Sequence, residues 1–195
     1  MKHELNMDIS KAPKGSSGFS LVEICVVVAI FLILAGSAIP YAVEMVQTNR
    51  LLGDARSLAH ELSLARLRAG TDFTWAEVAA NSAVTPNSYS LKLCATKATS
   101  SCTTFTAEGG KQYLSSGISF GFGSSSGPAG GQTAATQTAT VTFNSRGIPI
   151  DSGGSPTAND TIYLADNDGH AYAVSATLSG HIKIYHYTGG AWVSL

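Results

Sequence analysis

The chain has 195 residues, with 12 lysines and arginines against 13 aspartates and glutamates for a net charge of -1, and 44% of it is hydrophobic while only 13% is charged. Those values exclude a disordered polyelectrolyte and a nucleic-acid binder driven by bulk charge. The length allows one globular domain beside a membrane anchor, not two.

Residues 1–18 form a polar leader in which Lys2, Lys11 and Lys14 outnumber Glu4 and Asp8. With nothing apolar to bury, the leader is expected to be disordered. Residues 19–43 then form an apolar run whose only charged side chain is Glu23. As a helix the run would rise about 37 Å, enough to cross a hydrocarbon core of about 30 Å. The basic flank keeps the leader on the cytoplasmic side, and the remainder of the chain lies outside.

A secretory signal is cut after its apolar core. Here a cut fits between Gly18 and Phe19, ahead of that core, so the leader is removed, the spanning helix is retained and Phe19 gains a new α-amino group. Glu23 lies four residues on, one helical turn away, so its carboxylate can meet that amine in its own chain or in a neighbour. The alternative is a carboxylate near the helix end that snorkels to the headgroups. Further along, Pro40 has no N–H for the carbonyl of Gly36, which predicts a kink or loosening from Gly36 to Pro40.

Gly18-Phe19-Ser20-Leu21-Val22-Glu23 and the apolar run that follows resemble the class III signal of type IV prepilins and type II secretion pseudopilins. The resemblance implies a prepilin peptidase that cuts after Gly18 and N-methylates Phe19. It also implies that Glu23 guides docking into a filament, and that the segment around Pro40 melts in some assembled filaments.

Beyond the span, Leu51, Ala55, Leu58, Leu62, Ala65 and Ala69 recur at spacings of four and three, predicting an amphipathic helix over residues 44–70 that stops at Gly70. Thr74 with Glu77 three residues on has a capping-box spacing, which predicts a short helix over residues 74–81. From Ser88 the period becomes two. Tyr89, Leu91 and Leu93, then Ile118, Phe120 and Phe122, then Val141 and Phe143, then Ile162 and Leu164 mark half-buried strands of an antiparallel sheet. Residues 171–176, 181–187 and 191–195 close the chain as a three-stranded meander, with Ile182 and Ile184 on one face and His181, Lys183, Tyr185 and Tyr187 on the other. Residues 123–137 and 151–159, rich in Gly, Ser, Ala and Thr, are expected as surface loops. The fold class is therefore α+β: a long N-terminal helix, transmembrane over 19–43 and amphipathic over 44–70, packed on a β-rich head over 71–195.

Phe143-Asn144-Ser145-Arg146-Gly147, Ile162-Tyr163-Leu164, Tyr172-Ala173-Val174, Ser179-Gly180-His181-Ile182-Lys183-Ile184 and Trp192 are similar to the C-terminal sheet of the GspH/FimT family of minor pilins and pseudopilins. Ala65-Arg66 fits the same pattern. Residues 71–137 match nothing in that family's pattern.

Cys94 and Cys102 bracket a polar loop, and in an oxidising periplasm a disulfide between them is expected, with two free thiols as the alternative; Cys25 lies in the span as a small apolar residue. Gly123-Ser124-Ser125-Ser126-Gly127 satisfies the nucleophile-elbow pattern, but Pro128-Ala129-Gly130-Gly131 cannot open the helix that motif needs. Asp166-Asn167-Asp168-Gly169 resembles the start of a calcium loop, yet Thr177 stands where the bidentate glutamate belongs, so a hairpin turn is expected and no metal or other cofactor. His60, His170, His181 and His186 have no metal-ligand spacing. No enzymatic site is expected.

Three functions remain open. The first is a minor pilin or pseudopilin that partners prepilin peptidase, other pilins, an inner-membrane assembly platform and lipid, in the bacterial inner membrane and then the filament. The second is a FimT-like DNA receptor, disfavoured because the chain's last residues, Trp192-Val193-Ser194-Leu195, carry no basic side chain. The third is a membrane-anchored periplasmic head that never polymerises.

Overall fold

The computed structural model describes residues 18–96 and 101–195; the expected leader disorder therefore falls outside the described residues except at Gly18. One α-helix, α1 (Leu21–Thr71), is followed by eleven strands: β1 (Ala76–Asn81), β2 (Ser88–Cys94), β3 (Phe105–Ala107), β4 (Gln112–Tyr113), β5 (Ile118–Phe120), β6 (Thr140–Phe143), β7 (Pro149–Ile150), β8 (Asp160–Asp166), β9 (Ala171–Ala176), β10 (Ile182–Tyr187) and β11 (Trp192–Ser194). This is an α+β arrangement with antiparallel sheets. By its contacts the chain divides into two units, residues 1–41 and 42–195.

In the first unit α1 leaves its apolar side chains uncovered, Leu21, Ile24, Phe31 and Leu34 among them, and it is long and apolar enough to cross a membrane. The helix runs without interruption through Gly36 and Pro40. It starts at Leu21, two residues later than expected, because Ser20 serves as the cap: the N–H groups of Glu23 and Ile24 donate to the Ser20 carbonyl at 3.0 and 3.2 Å.

In the second unit the stripe Leu51, Ala55, Leu58, Leu62, Ala65 and Ala69 is fully buried, one face of α1 along five turns. Two sheets close over it. Sheet A runs β3-β2-β1-β6-β7 with β4 also on β2, and sheet B runs β11-β10-β9-β8-β5. Sheet A contributes Val78, Leu91, Val141 and Phe143 to the core, and sheet B contributes Ile162, Leu164, Val174 and Ala176. Each fully buried Leu, Ile or Phe stabilises the fold by about 1.5–3 kcal/mol relative to exposure. The single expected sheet is thus two, because the helix stripe is wide enough to need cover from both sides.

The helix expected over residues 74–81 is instead β1, the central strand of sheet A, paired with β2 through Val78↔Leu91 and with β6 through Val78↔Val141. The capping-box spacing was misleading. Glu77 faces Lys92 directly across the strands and binds it at 2.9 Å, while the Thr74 hydroxyl donates to the Cys94 carbonyl at 3.4 Å. Ladder pairing on both sides and an apolar inner face outweigh a weak local helix signal. Gly70 is likewise not the stop: α1 ends at Thr71 and Phe73 takes the left-handed turn at φ 50°.

Residues 123–137 are the expected surface loop, mostly exposed and without a strand or helix. They form a strap across the outer face of sheet B, with Ala129 buried against Tyr163 and Ala173. The Ala129 N–H donates to the Tyr163 hydroxyl at 2.9 Å, and that hydroxyl donates to Gln132 Oε1 at 2.6 Å. Gly130 (φ +66°) lies so close to the sheet that a Cβ there would sit 2.7 Å from Thr161 Oγ1. Consequently β9 is buried on both faces, as is β8 beyond its first residue, rather than half-buried. Small residues that cannot build a core can still lie flat on one.

Candidate functional site

The residues expected to carry processing lie together at the start of α1. Gly18, Phe19 and Ser20 have no regular structure and are exposed, so the Gly18–Phe19 peptide bond sits in an open segment that a peptidase can bind in extended form. Phe19 is 78% exposed. Glu23 falls in the first turn, at the positive end of the helix dipole, where a carboxylate is favoured. Ser20 and Glu23 share a capping-box spacing that sequence reasoning passed over, although the signal was present.

In the unprocessed chain Phe19 precedes the first helical turn, so Phe19 and Glu23 do not share a helix face. Removal of the leader changes the local chemistry: the amide of Phe19 becomes an amine, and Glu23 is the one carboxylate in the apolar stretch it opens. Cys25 is a free, exposed thiol on the same stretch. Ser37 donates to the Leu34 carbonyl at 2.9 Å, between Gly36 and the turn that holds Pro40.

In the head, Cys94 and Cys102 are joined as a disulfide, packed with Trp75, Phe105 and Ile150 on the outer face of sheet A. The Asp166–Gly169 segment is the β8–β9 hairpin turn: Asp166 Oδ1 accepts from the N–H groups of Asp168 (3.0 Å) and His170 (2.8 Å), and Oδ2 pairs with His170 Nδ1 at 2.8 Å. Its carboxylate is committed to the turn. His186 stacks on Tyr172 at 4.7 Å between ring centroids, a packing role. Ser125, at the nucleophile position of the G-x-S-x-G pattern, donates its hydroxyl to the Phe122 carbonyl at 2.5 Å, and among the described residues no helix follows it.

Burial perturbs several ionisable groups in the head. Desolvation, with Asp151 nearby, pushes Asp160 up to about 6 in a 280 Å3 hollow lined also by Trp75 and Phe105. Burial raises Glu61, partly offset by His60, and burial together with Glu61 and Asp54 lifts Tyr89 to about 12. Asp54 itself ties α1 to the β4–β5 connection by accepting from Ser115 N (2.8 Å) and Oγ (3.0 Å).

In the sequence Arg66 is only part of a pattern, and the structure gives it a definite setting. Its side chain passes between Gly147, in the β6–β7 turn, and Gly180, in the β9–β10 turn; the guanidinium donates to the Ser179 carbonyl at 3.4 Å. One side chain from α1 thereby touches a turn of each sheet.

No curated protein and no solved structure matches the chain. Residues 13–39 match the family described as the prokaryotic N-terminal methylation motif, which covers the Gly18–Phe19 bond, Glu23 and the apolar run. That match supports a type IV pilin-like precursor, processed by prepilin peptidase and carrying a long apolar helix consistent with inner-membrane anchoring.

Proposed function

We propose that the protein is a minor pilin or pseudopilin, cut between Gly18 and Phe19, N-methylated on Phe19 and built into a filament through its N-terminal helix as a tip or priming subunit. The role is structural rather than catalytic. The observation that carries the reading is the methylation motif over residues 13–39, which runs into an uncovered apolar stretch of α1 whose only charge up to Val43 is Glu23 in the first turn. An unpaired carboxylate in lipid costs at least a few kcal/mol, and a cationic N-terminus on a neighbouring helix offsets that cost at only one register. Docking is therefore selected by charge pairing as well as by apolar contact. The similarity of residues 143–147 and 179–184 to GspH/FimT chains supports the minor-subunit assignment.

Two measurements test this. Mass spectrometry of the protein from its native membrane is expected to find an N-terminus at methylated Phe19, and an intact leader would reject the processing. Glu23→Ala is expected to leave processing intact while depleting the subunit from sheared filaments or from cross-linked pseudopilus complexes. Undiminished incorporation of Glu23→Ala would reject the docking mechanism.

A further inference from the structure

The end of α1 carries an open cleft of about 460 Å3 whose wall is set by Arg66, Leu67 and Arg146, with Gly147 at its back. Arg66 is half-buried and held in place. A Cβ on Gly147 would stand 3.0 Å from its Cγ, and one on Gly180 2.8 Å from its Nε, so the two glycine turns grip the side chain along its length. Its rotamer freedom is already spent in folding, and the long contact to the Ser179 carbonyl leaves most of its five N–H donors unused. Arg146 projects from the neighbouring turn and is exposed. Among the described residues neither arginine has a carboxylate within 4 Å, whereas Arg68 is paired with Glu108 at 3.0 Å and Lys92 with Glu77.

Two carbonyls of this helix end are taken up by backbone donors rather than by the arginines. Arg68 O accepts from the Asp72 N–H at 2.9 Å and Ala69 O from the Thr74 N–H at 3.2 Å, so both are already engaged. Beside the two cations Leu67 is 61% exposed, an apolar contact next to a pair of anion receptors.

The geometry points to a carboxylate-binding interaction surface: the Arg66–Arg146 cleft receives an acidic side chain of a neighbouring protein subunit, with an adjacent apolar residue of that subunit resting on Leu67. A peptide is favoured over nucleic acid because no aromatic side chain lines the cleft to stack a base. A planar guanidinium held in one rotamer suits bidentate carboxylate recognition. This surface deepens the filament-subunit reading by assigning a head contact separate from the helix docking at Glu23.

The test uses the full chain in detergent micelles, isotope-labelled so that the Nε–Hε signals of Arg66 and Arg146 can be followed at low salt. The probe is the peptide acetyl-Leu-Asp-Leu-Asp-amide, with acetyl-Leu-Asn-Leu-Asn-amide and an oligothymidylate as controls. A saturable shift of the Arg66 signal with the acidic peptide alone is expected. Arg146→Gln, a change at an exposed position, is expected to weaken binding about tenfold, the loss of one charge-assisted hydrogen bond. Leu67→Ser is expected to weaken it several-fold. The proposal is overturned by no saturable shift, by an equal response to the amide peptide, by an oligothymidylate response at the same concentrations, or by unchanged affinity in either variant. The titration needs no assembled filament, so its failure is distinguishable from failure of the Glu23 test.

Discussion

Replacing Gly180 with Ala tests the clasp that Arg66 makes between α1 and the two sheets. Gly180 sits at φ +77°, and an added Cβ would press into the Gly147 carbonyl oxygen and stand 2.8 Å from Arg66 Nε. The first of those neighbours is backbone, so the β9–β10 turn must move away from the β6–β7 turn or Arg66 must leave its cradle. Gly189 supplies the control, since it has φ +85° with nothing within 4 Å of a Cβ. Gly189→Ala therefore measures the left-handed backbone cost alone, about 1 kcal/mol, and Gly180→Ala adds the clash for about 3 kcal/mol in all. For a head of this size each kcal/mol shifts the melting temperature by about 2–4 °C, so the expected drops are about 2–4 °C and 6–12 °C. Thermal melts of the full chain in detergent, followed by the fluorescence of Trp75 and Trp192, read both. If Gly180→Ala loses no more than Gly189→Ala, the close approach of the two turns is not a constraint and the clasp is refuted.

Three other outcomes follow from the head. Asp160 is raised from an ordinary 3.8 to about 6, so the folded state holds a proton that the unfolded chain releases between those values. Stability contributed by that proton is full below about pH 4 and is lost as pH rises through about 6; Asp160→Asn is expected to stabilise the protein at pH 7 by about 1 kcal/mol, the nominal linkage having been reduced for solvent screening of a half-exposed group, and to flatten the melting profile between pH 4 and 7. Tyr163→Phe removes the hydroxyl that accepts from Ala129 and donates to Gln132, so amide exchange across residues 123–132 is expected to accelerate, with a global loss of about 1–2 kcal/mol in denaturant titration. Cys94→Ser with Cys102→Ser reopens a loop of eight-residue separation and is expected to cost about 2 kcal/mol by chain entropy, read as a lower denaturation midpoint that reducing agent no longer changes.

The apolar helix and the buried stripe are legible in the sequence because both are local. A run of apolar residues with one acid, and leucines and alanines at spacings of three and four, depend on nothing elsewhere in the chain. The meander over β9, β10 and β11 was equally plain, since short turns join neighbouring strands. What was not legible shares one cause, long-range partners. Thr74 to Asn81 became a strand because Val141 and Phe143, more than sixty residues on, complete its ladder. The strap over sheet B rests on the Tyr163 hydroxyl and on the flatness of Gly130, and Arg66 takes its meaning from glycines 81 and 114 residues downstream; no window of sequence contains both halves of either arrangement. At the N-terminal site the residues proposed for cleavage and Glu23 are legible in the sequence, whereas the Ser20 cap that leaves Phe19 outside the helix is less plain.

The cover over the helix stripe also sets an order of events during synthesis. Val174, Ala176 and Ile182 come from the last quarter of the chain, yet they shield leucines that emerge first. Until synthesis is nearly complete, Leu51, Leu58 and Leu62 have only part of their shelter. Topology of this kind slows productive folding and prolongs exposure of sticky surface. A nascent head is thus vulnerable to off-pathway association until its final hairpin arrives, which makes late truncations far more damaging than their short length suggests.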